Sequence, residues 1–167
     1  MSAPSPVSAL IHAATLVTSG VFLIIKFSRV FEYSSTLEWL SILGVSTAFF
    51  AGITALVQND FKRVIAYSTC SQLGYMVFAC GLSSYSVSFF RLLNRGCFKA
   101  LLFLGAGATI HSINNKQEIR WLGSLFTSLP LSYAFFIVGS LALTGFPFLA
   151  GFYSKDIIIE ISAVNYR

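Results

Sequence analysis

Five apolar stretches, each long enough to cross a membrane, constrain the fold of this chain more than any other feature. A membrane-spanning helix needs about 20 predominantly apolar residues, and the windows that meet this length are residues 8–27, 39–57, 64–82, 85–104 and 129–164. Only 10% of the residues are charged, against about 25% in soluble domains. The sequence therefore predicts an all-α, polytopic membrane protein of about five transmembrane helices, forming a single membrane unit over residues 1–167 in the lipid bilayer.

The charge balance and the cysteines argue against two other classes of function. Eleven basic and six acidic residues give a net charge of +5, but the basic residues are spread over predicted loops and form no patch for nucleic acid. Cys70, Cys80 and Cys97 lack the spacing of metal ligands, so we expect them to be small buried hydrophobic residues. We expect no metal and no cofactor in this chain, which also has no glycine-rich phosphate loop.

The fourth window carries three basic residues on one helical face. Arg91, Arg95 and Lys99 recur at i, i+4 and i+8 and so stay on the same side of a helix. At the bilayer centre three such cations cost about 8–10 kcal/mol, roughly twice what the apolar residues of the same window recover. The face should therefore point into a polar or hydrated protein interior. The alternative is that Arg91 and Arg95 extend to water near the interface, with only Lys99 deep.

Counter-charges are missing from the same part of the sequence. Residues 61–117 contain six Lys or Arg and no Asp or Glu, although buried cations need partners. A buried lysine close to other cations can load and release a proton, and a row of titratable groups inside a membrane is what proton conduction requires. This pattern indicates proton transport, with Lys99 as the candidate carrier.

The two histidines are further candidates for a proton path. His12 lies about one turn into the first window, and an imidazole can donate and accept a proton near neutral pH. His111 follows two glycines that we expect to be flexible, which places it near the membrane edge. The alternatives are a structural histidine inside the bundle for His12 and a surface or helix-end residue for His111.

The fifth window contains a break. Pro147 lies between Gly145 and Gly151, and such a sequence interrupts the helical hydrogen bonds and leaves carbonyl groups free. Broken helices at membrane depth occur where the backbone lines an ion or substrate path. Lys155 and Asp156 follow directly and are candidates for that path. The alternative is an ordinary helix end with both side chains in water.

Loop charges predict the orientation. Taking alternate crossings, residues 59–63 and 114–120 fall on one side of the membrane and carry Lys62, Arg63, Lys116 and Arg120. The positive-inside rule places this side toward the cytoplasm or its organellar equivalent.

Several segments together carry a resemblance to a known family. They are SPVSALIHAAT (5–15), QNDFKRVIAYST (58–69), SQLGY (71–75), FKALLFL (98–104), IH (110–111), GFPF (145–148) and GFYSKD (151–156). The chain resembles the mitochondrial form of the NADH–ubiquinone oxidoreductase chain 5 family, the antiporter-like membrane subunits of respiratory complex I. The resemblance covers nearly the whole sequence, from the family's helix eight to its broken helix twelve.

The resemblance implies a role for the chain and for four residues. It implies a mitochondrial inner-membrane subunit that couples NADH:ubiquinone electron transfer to proton pumping, with no redox chemistry of its own. His12 would be the relay histidine, Lys99 the central lysine, and Lys155 with Asp156 the exit-side group. Residues 59–63 would face the matrix. The implied partners are other membrane-arm subunits and, because the family subunit has more helices on each side, other fragments of the same split subunit.

One departure from the family pattern keeps other interpretations open. Arg91 and Arg95 stand where the family usually has histidines, and an arginine stays charged and cannot relay protons as histidine does. These arginines could tune Lys99, or the proton route could bypass them. The alternatives to complex I are a subunit of a sodium/proton antiporter complex and a structural fragment that conducts nothing.

Overall fold

The computed structural model describes residues 15–113, 116–123 and 125–165. Within these ranges the chain is helical and contains no β-strand, which confirms the all-α prediction. The elements in chain order are α1 (Leu16–Lys26), α2 (Ser28–Glu32), α3 (Thr36–Leu56), α4 (Phe61–Gly81), α5 (Tyr85–Ser112), a 3₁₀ turn (Ile119–Trp121), α6 (Leu125–Ser128), α7 (Pro130–Thr144) and α8 (Ala150–Asn165).

Helices α3 and α4 form a hairpin whose backbones approach closely. A Cβ atom added to Gly74 would lie 2.6 Å from the carbonyl oxygen of Gly44, so only glycine fits at this position. Small residues allow such close helix contacts in membrane proteins, where the packing itself drives association. The hairpin therefore depends on backbone proximity rather than on large interdigitating side chains.

The outer surface of α3 is apolar and exposed. Trp39, Phe49 and Phe50 are each at least two-thirds accessible in the isolated chain. Among the described residues, α3 is the helix that is both long and apolar enough to cross a membrane; α1 and α7 are apolar but shorter. Helices cover each of the five predicted windows over the residues that the structure describes.

Helix α5 lies at the centre of the bundle and contacts α1, α4, α7 and α8. One apolar cluster joins Ile65 of α4 to Phe103 and Ala106 of α5. A second joins Val21 of α1 to Met76 of α4. These two clusters flank the middle of α5 and hold its basic face against α4.

Helix α5 is longer than the sequence predicted. It continues to Ser112 through Gly105 and Gly107, so the prediction of a flexible segment there is wrong. Gly105 is buried, and the ring of Phe136 of α7 lies against it. This packing offsets the helical cost of a glycine, which is about 1 kcal/mol relative to alanine.

The two basic loops lie on the same side of the bundle, as predicted. The Phe61 amide donates to the carbonyl of Gln117 at 2.9 Å, and the Ile119 amide donates to the carbonyl of Asn59 at 3.0 Å. Asp60 and Glu118 form an antiparallel bridge between these bonds. The pairing ties the start of α4 to the segment after α5.

The predicted break in the last window is present. Helix α7 ends at Thr144, and Gly145 caps it in the left-handed conformation with φ of +89°. Helix α8 begins at Ala150. Glycine adopts positive φ without the steric penalty that a side chain brings. Helix α7 therefore ends at a residue that tolerates this conformation.

The two half-helices touch directly after the break. A Cβ atom added to Gly151 would lie 1.7 Å from the carbonyl oxygen of Ala142. No side chain can therefore replace this glycine without moving α7 or α8.

The prediction that all three cysteines are buried is wrong for two of them. Cys80 is buried, and its thiol donates to the Ser88 hydroxyl at 3.3 Å. Cys70 and Cys97 are exposed; Cys70 lines an open groove between α3 and α4 that the packing of these helices does not fill. Hydropathy does not distinguish a residue facing this chain's interior from one facing lipid or a partner.

Candidate functional site

The three basic residues of α5 point into the bundle. The exposed fractions of Arg91, Arg95 and Lys99 are 5%, 4% and 0%. The prediction of an interior-facing basic face is confirmed, and the alternative in which both arginines extend to water is wrong. The reason is the i, i+4, i+8 spacing, which presents all three side chains to α4 at once.

Helix α4 provides a polar partner for each cation in turn. Arg91 donates from Nη2 to Oε1 of Gln72, and its guanidinium lies 5.4 Å from the ring centre of Tyr75. Arg95 donates from Nη2 to the backbone carbonyl of Thr69 at 3.1 Å. The cations and their partners run in opposite directions along the two helices. From Arg91 to Lys99 on α5, the partners move back along α4 from residue 72 to residue 68.

Lys99 completes the series with a hydroxyl partner. Its Nζ donates to Oγ of Ser68 at 2.8 Å. The Ser68 hydroxyl in turn donates to the backbone carbonyl of Ile65 at 2.8 Å. Since the serine proton points to that carbonyl, its lone pairs are free to accept from the ammonium group.

No Asp or Glu side chain of the described ranges neutralises these cations. All six Asp and Glu residues lie in the described ranges, and the ion pair found there joins Asp60 to Arg63 at 2.9 Å. Arg91, Arg95 and Lys99 contact amide, carbonyl, hydroxyl and aromatic groups instead. Among the described residues, the three buried charges are hydrogen-bonded but form no ion pair.

Lys155 and Asp156 lie on α8 just after the break. Both side chains are half-buried, and the Lys155 stem lies beside Gly145, with its Cδ 3.9 Å from the position of an added Cβ. Neither residue forms a hydrogen bond or an ion pair with another described residue. The structure therefore does not connect them to Lys99 through polar side chains of this chain, and the shared path remains a prediction.

The histidines are not brought to the basic face. His111 is exposed and lies in the last turn of α5, which agrees with the alternative of a surface residue at a helix end. His12 lies outside the described residues, so its predicted relay role remains a prediction.

Sequence reasoning missed the polar residues that surround the basic face. Ser68 and Gln72 lie one turn apart on α4, Asn94 lies between the two arginines, and Ser154 is buried at the start of α8. The available signal was the i, i+4 spacing of Ser68 and Gln72 in a helix that is less apolar than its neighbours.

The arrangement can hold a proton at a fully buried side chain. An ammonium group with a hydroxyl partner and no carboxylate is stabilised less than a paired one, so its proton can leave when an acceptor or a water chain reaches it. The guanidinium groups beside it keep their charge and act on Lys99 electrostatically.

Curated relatives share more than half of this sequence. The chain is 59% identical to "NADH-ubiquinone oxidoreductase chain 5" of Marchantia polymorpha and of Arabidopsis thaliana, over 99% of this chain and 25% of each relative. It is 61% identical to the protein of that name from Acanthamoeba castellanii, over 97% of this chain and 24% of the relative. The chain therefore spans about a quarter of the length of the curated relatives it matches.

A solved structure and a family model agree with these relatives. A chain of the membrane-bound sulfane sulfur reductase, an archaeal respiratory membrane complex, is similar with a TM-score of 0.89 and 27% identity, over 96% of this chain and 34% of that chain. The family model described as NADH:quinone oxidoreductase/Mrp antiporter, TM, matches residues 1–166. The resemblance seen in the sequence is thus confirmed, and the chain belongs to the NADH:quinone oxidoreductase/Mrp antiporter transmembrane family.

Proposed function

We propose that this chain forms the proton-translocating part of an antiporter-like membrane subunit in a respiratory NADH:ubiquinone oxidoreductase. The observation that carries the proposal is Lys99, which is fully buried at the centre of the bundle and bonded to a hydroxyl rather than to a carboxylate. The names of the curated relatives support the assignment to this enzyme. The enzyme's electron transfer takes place in other chains, and this chain takes part through proton movement.

The proposed path uses four titratable residues, which are His12, Lys99, Lys155 and Asp156. Lys99 holds and releases the proton, and the Ser68 hydroxyl positions its ammonium group. We assign His12 the role of relay histidine on the resemblance alone, and Lys155 with Asp156, just after the α7–α8 break, the role of exit-side group. Arg91 and Arg95 stay charged and act on Lys99 electrostatically without relaying protons, while His111 lies at the surface outside this path.

The proposed location is the mitochondrial inner membrane, with residues 59–63 and 114–120 on the matrix side. Residues 1–167 act as one membrane unit within a longer antiporter-like subunit. The proposed partners are other fragments of that subunit and other membrane-arm subunits, and we propose no cofactor, metal or nucleic acid for this chain. Co-migration with a large inner-membrane assembly on native gels supports this proposal, and a stable free monomer in mild detergent contradicts it.

The proposal is tested by replacing Lys99 in the assembled complex. Lys99→Met should abolish or strongly reduce proton pumping coupled to NADH oxidation, and Lys99→Arg should not restore it because a guanidinium group does not release its proton. Lys26→Met removes an exposed lysine at the end of α1 and is the matched control that should pump normally. Normal pumping by a fully assembled Lys99→Met complex contradicts the proposal.

Two other functions have a specific observation in their favour. The family description also includes Mrp antiporters, which favours a sodium/proton antiporter complex; NADH oxidation that drives pumping in the purified assembly distinguishes complex I from it. The buried arginines favour a structural fragment that conducts nothing, because permanent charges cannot relay protons. Unchanged pumping in the Lys99→Met complex is the result that this third interpretation requires.

A further inference from the structure

A small cavity lies where four helices meet beside the basic face of α5. Its walls come from α4, α5, α7 and α8, and its volume of about 20 Å³ is large enough for one water-sized occupant. The polar residues of the wall are Gln72, Arg91, Asn94, Arg95 and Ser154. Ser154 is 2% exposed, so the wall on the α8 side is also deep in the bundle.

The residues that line this cavity carry four of the five buried polar side-chain atoms that have no partner in the described part of the chain. These four atoms are Nε of Arg91, Nδ2 of Asn94, and Nε and Nη1 of Arg95; the fifth is the hydroxyl of Tyr85, which does not line the cavity. All four are N–H donors, and two of the three residues are cations. The acceptor that Gln72 contributes is already bonded to Arg91, and the Ser154 hydroxyl donates to the Gly151 carbonyl at 3.2 Å.

The charge around the cavity is also uncompensated. Arg91 and Arg95 are at least 95% buried, as their exposed fractions of 5% and 4% show, and no carboxylate of the described ranges lies within ion-pair distance of either. An unpaired buried charge is strongly unfavourable, and each buried donor without a partner adds to the cost. A single occupant that accepts several hydrogen bonds and carries a negative charge removes both costs.

Water satisfies only part of these requirements. A water molecule has two lone pairs, so it accepts from at most two of the four donors, and it brings no charge. No Asp or Glu of the described ranges lines the cavity or pairs with either arginine. A carboxylate of a partner chain in this place is an outcome that the experiment below separates from a free ion. A chloride ion is a single atom that is somewhat larger than water, accepts several N–H bonds and neutralises one guanidinium charge.

We propose that this cavity binds a small monovalent anion, with chloride as the physiological occupant. The anion bridges Arg91 and Arg95 of α5, with Asn94 as a neutral donor, and faces Ser154 at the start of α8. In this position it joins the basic face to the half-helix that follows the α7–α8 break. The site does not require Lys99 to conduct protons, so it stands or falls separately from the proposed function.

Bromide is the probe for this site, because it substitutes for chloride and scatters anomalously. Crystals of the intact membrane complex grown with bromide in place of chloride should show an anomalous peak in the cavity, adjacent to Arg95 Nη1 and Asn94 Nδ2. Excess chloride should reduce the peak. A wild-type complex with no bromide peak there, or with a water molecule or a partner's carboxylate in contact with both arginines, overturns the proposal.

A pair of variants makes the test specific. Arg95→Met removes two of the unpartnered donors and one positive charge, and the methionine side chain keeps much of the arginine's apolar length. This variant should reduce the bromide peak to less than half. Arg120→Met removes an exposed guanidinium in the 3₁₀ turn and should leave the peak unchanged. If Arg95→Met prevents assembly, competition between chloride and bromide in the wild-type complex still decides the question. An unchanged peak in an assembled Arg95→Met complex overturns the proposed site.

Discussion

Lys99 and Ser68 are joined by a hydrogen bond of 2.8 Å that spans two helices and 31 residues of sequence. The lysine is fully buried, and the serine proton is committed to the Ile65 carbonyl. The hydroxyl therefore fixes the ammonium group while leaving it free to lose its proton. A carboxylate at the same place would hold the proton more tightly.

Ser68→Ala should remove the hydrogen bond that positions the Lys99 ammonium group and leave the lysine itself in place. The substitution takes away the partner of a buried charged donor, which costs about 1–3 kcal/mol. We expect the assembled complex to oxidise NADH but to pump several-fold fewer protons per NADH, as measured by the pH change in reconstituted vesicles.

Ser68→Thr is the matched control, since it keeps a hydroxyl at the same position. It should retain most of the pumping that Ser68→Ala loses. Equal pumping by the Ser68→Ala complex and the wild-type complex would contradict a positioning role for this hydroxyl.

Gly74→Ala should separate the α3–α4 hairpin. The added Cβ would lie 2.6 Å from the Gly44 carbonyl and 2.7 Å from the Ala48 amide nitrogen. Backbone atoms cannot rotate away, so we expect a destabilisation of about 1–3 kcal/mol from overpacking. The measurement is the temperature at which the chain dissociates from the assembly on native gels.

Gly52→Ala is the matched control, because it makes the same substitution on α3 where an added Cβ has space. No atom lies within 4 Å of an added Cβ at this position, and alanine is the better helix former by about 1 kcal/mol. The dissociation temperature should stay the same or rise. A decrease as large as that of Gly74→Ala would show that the close backbone contact is not what holds the hairpin.

Much of this architecture follows from the sequence by local physical rules. Apolar length predicts the helices, the i, i+4, i+8 spacing predicts that Arg91, Arg95 and Lys99 share a buried face, and Gly145 with Pro147 predicts the break. Each of these depends on residues close together in the chain, so a window of the sequence contains the information. The location of the two basic loops on one side follows from the alternation of crossings, whereas the backbone hydrogen bonds between them do not.

The remaining features depend on contacts distant in sequence. The partners of the basic face lie 19 to 31 residues away on α4, and the spacing of α5 alone does not identify them. The continuation of α5 through Gly105 depends on Phe136 of α7, and the exposure of Cys70 and Cys97 depends on which faces remain uncovered. Tertiary packing decides these points.

Gly151→Ala should disrupt the junction between the half-helices. The added Cβ would lie 1.7 Å from the Ala142 carbonyl, so α8 must move away from α7. Because Ser154 and Lys155 lie within the next turn of α8, we expect loss of pumping together with reduced assembly, measured in vesicles and on native gels.

Gly20→Ala is a suitable control for this change, since an added Cβ there meets nothing within 4 Å. Its assembly should match that of the wild-type chain. Normal pumping and assembly by Gly151→Ala would contradict the tight junction.

Gln72→Glu should replace the proposed anion with a carboxylate that belongs to the chain. Gln72 already accepts a hydrogen bond from Arg91, and glutamate has the same length and keeps that acceptor. The new charge strengthens the bond and neutralises one of the two guanidinium groups that line the cavity. The bromide peak in crystals of the complex should therefore fall by about threefold or more, while Arg91 stays in place and the complex assembles normally.

Gln72→Met is the contrasting variant, because it removes the acceptor and adds no charge. It should retain the bromide peak and lower the dissociation temperature, since Nη2 of Arg91 then has no partner. If bromide binds the Gln72→Glu complex as strongly as the wild-type complex, the missing counter-charge is not what brings an anion into the cavity.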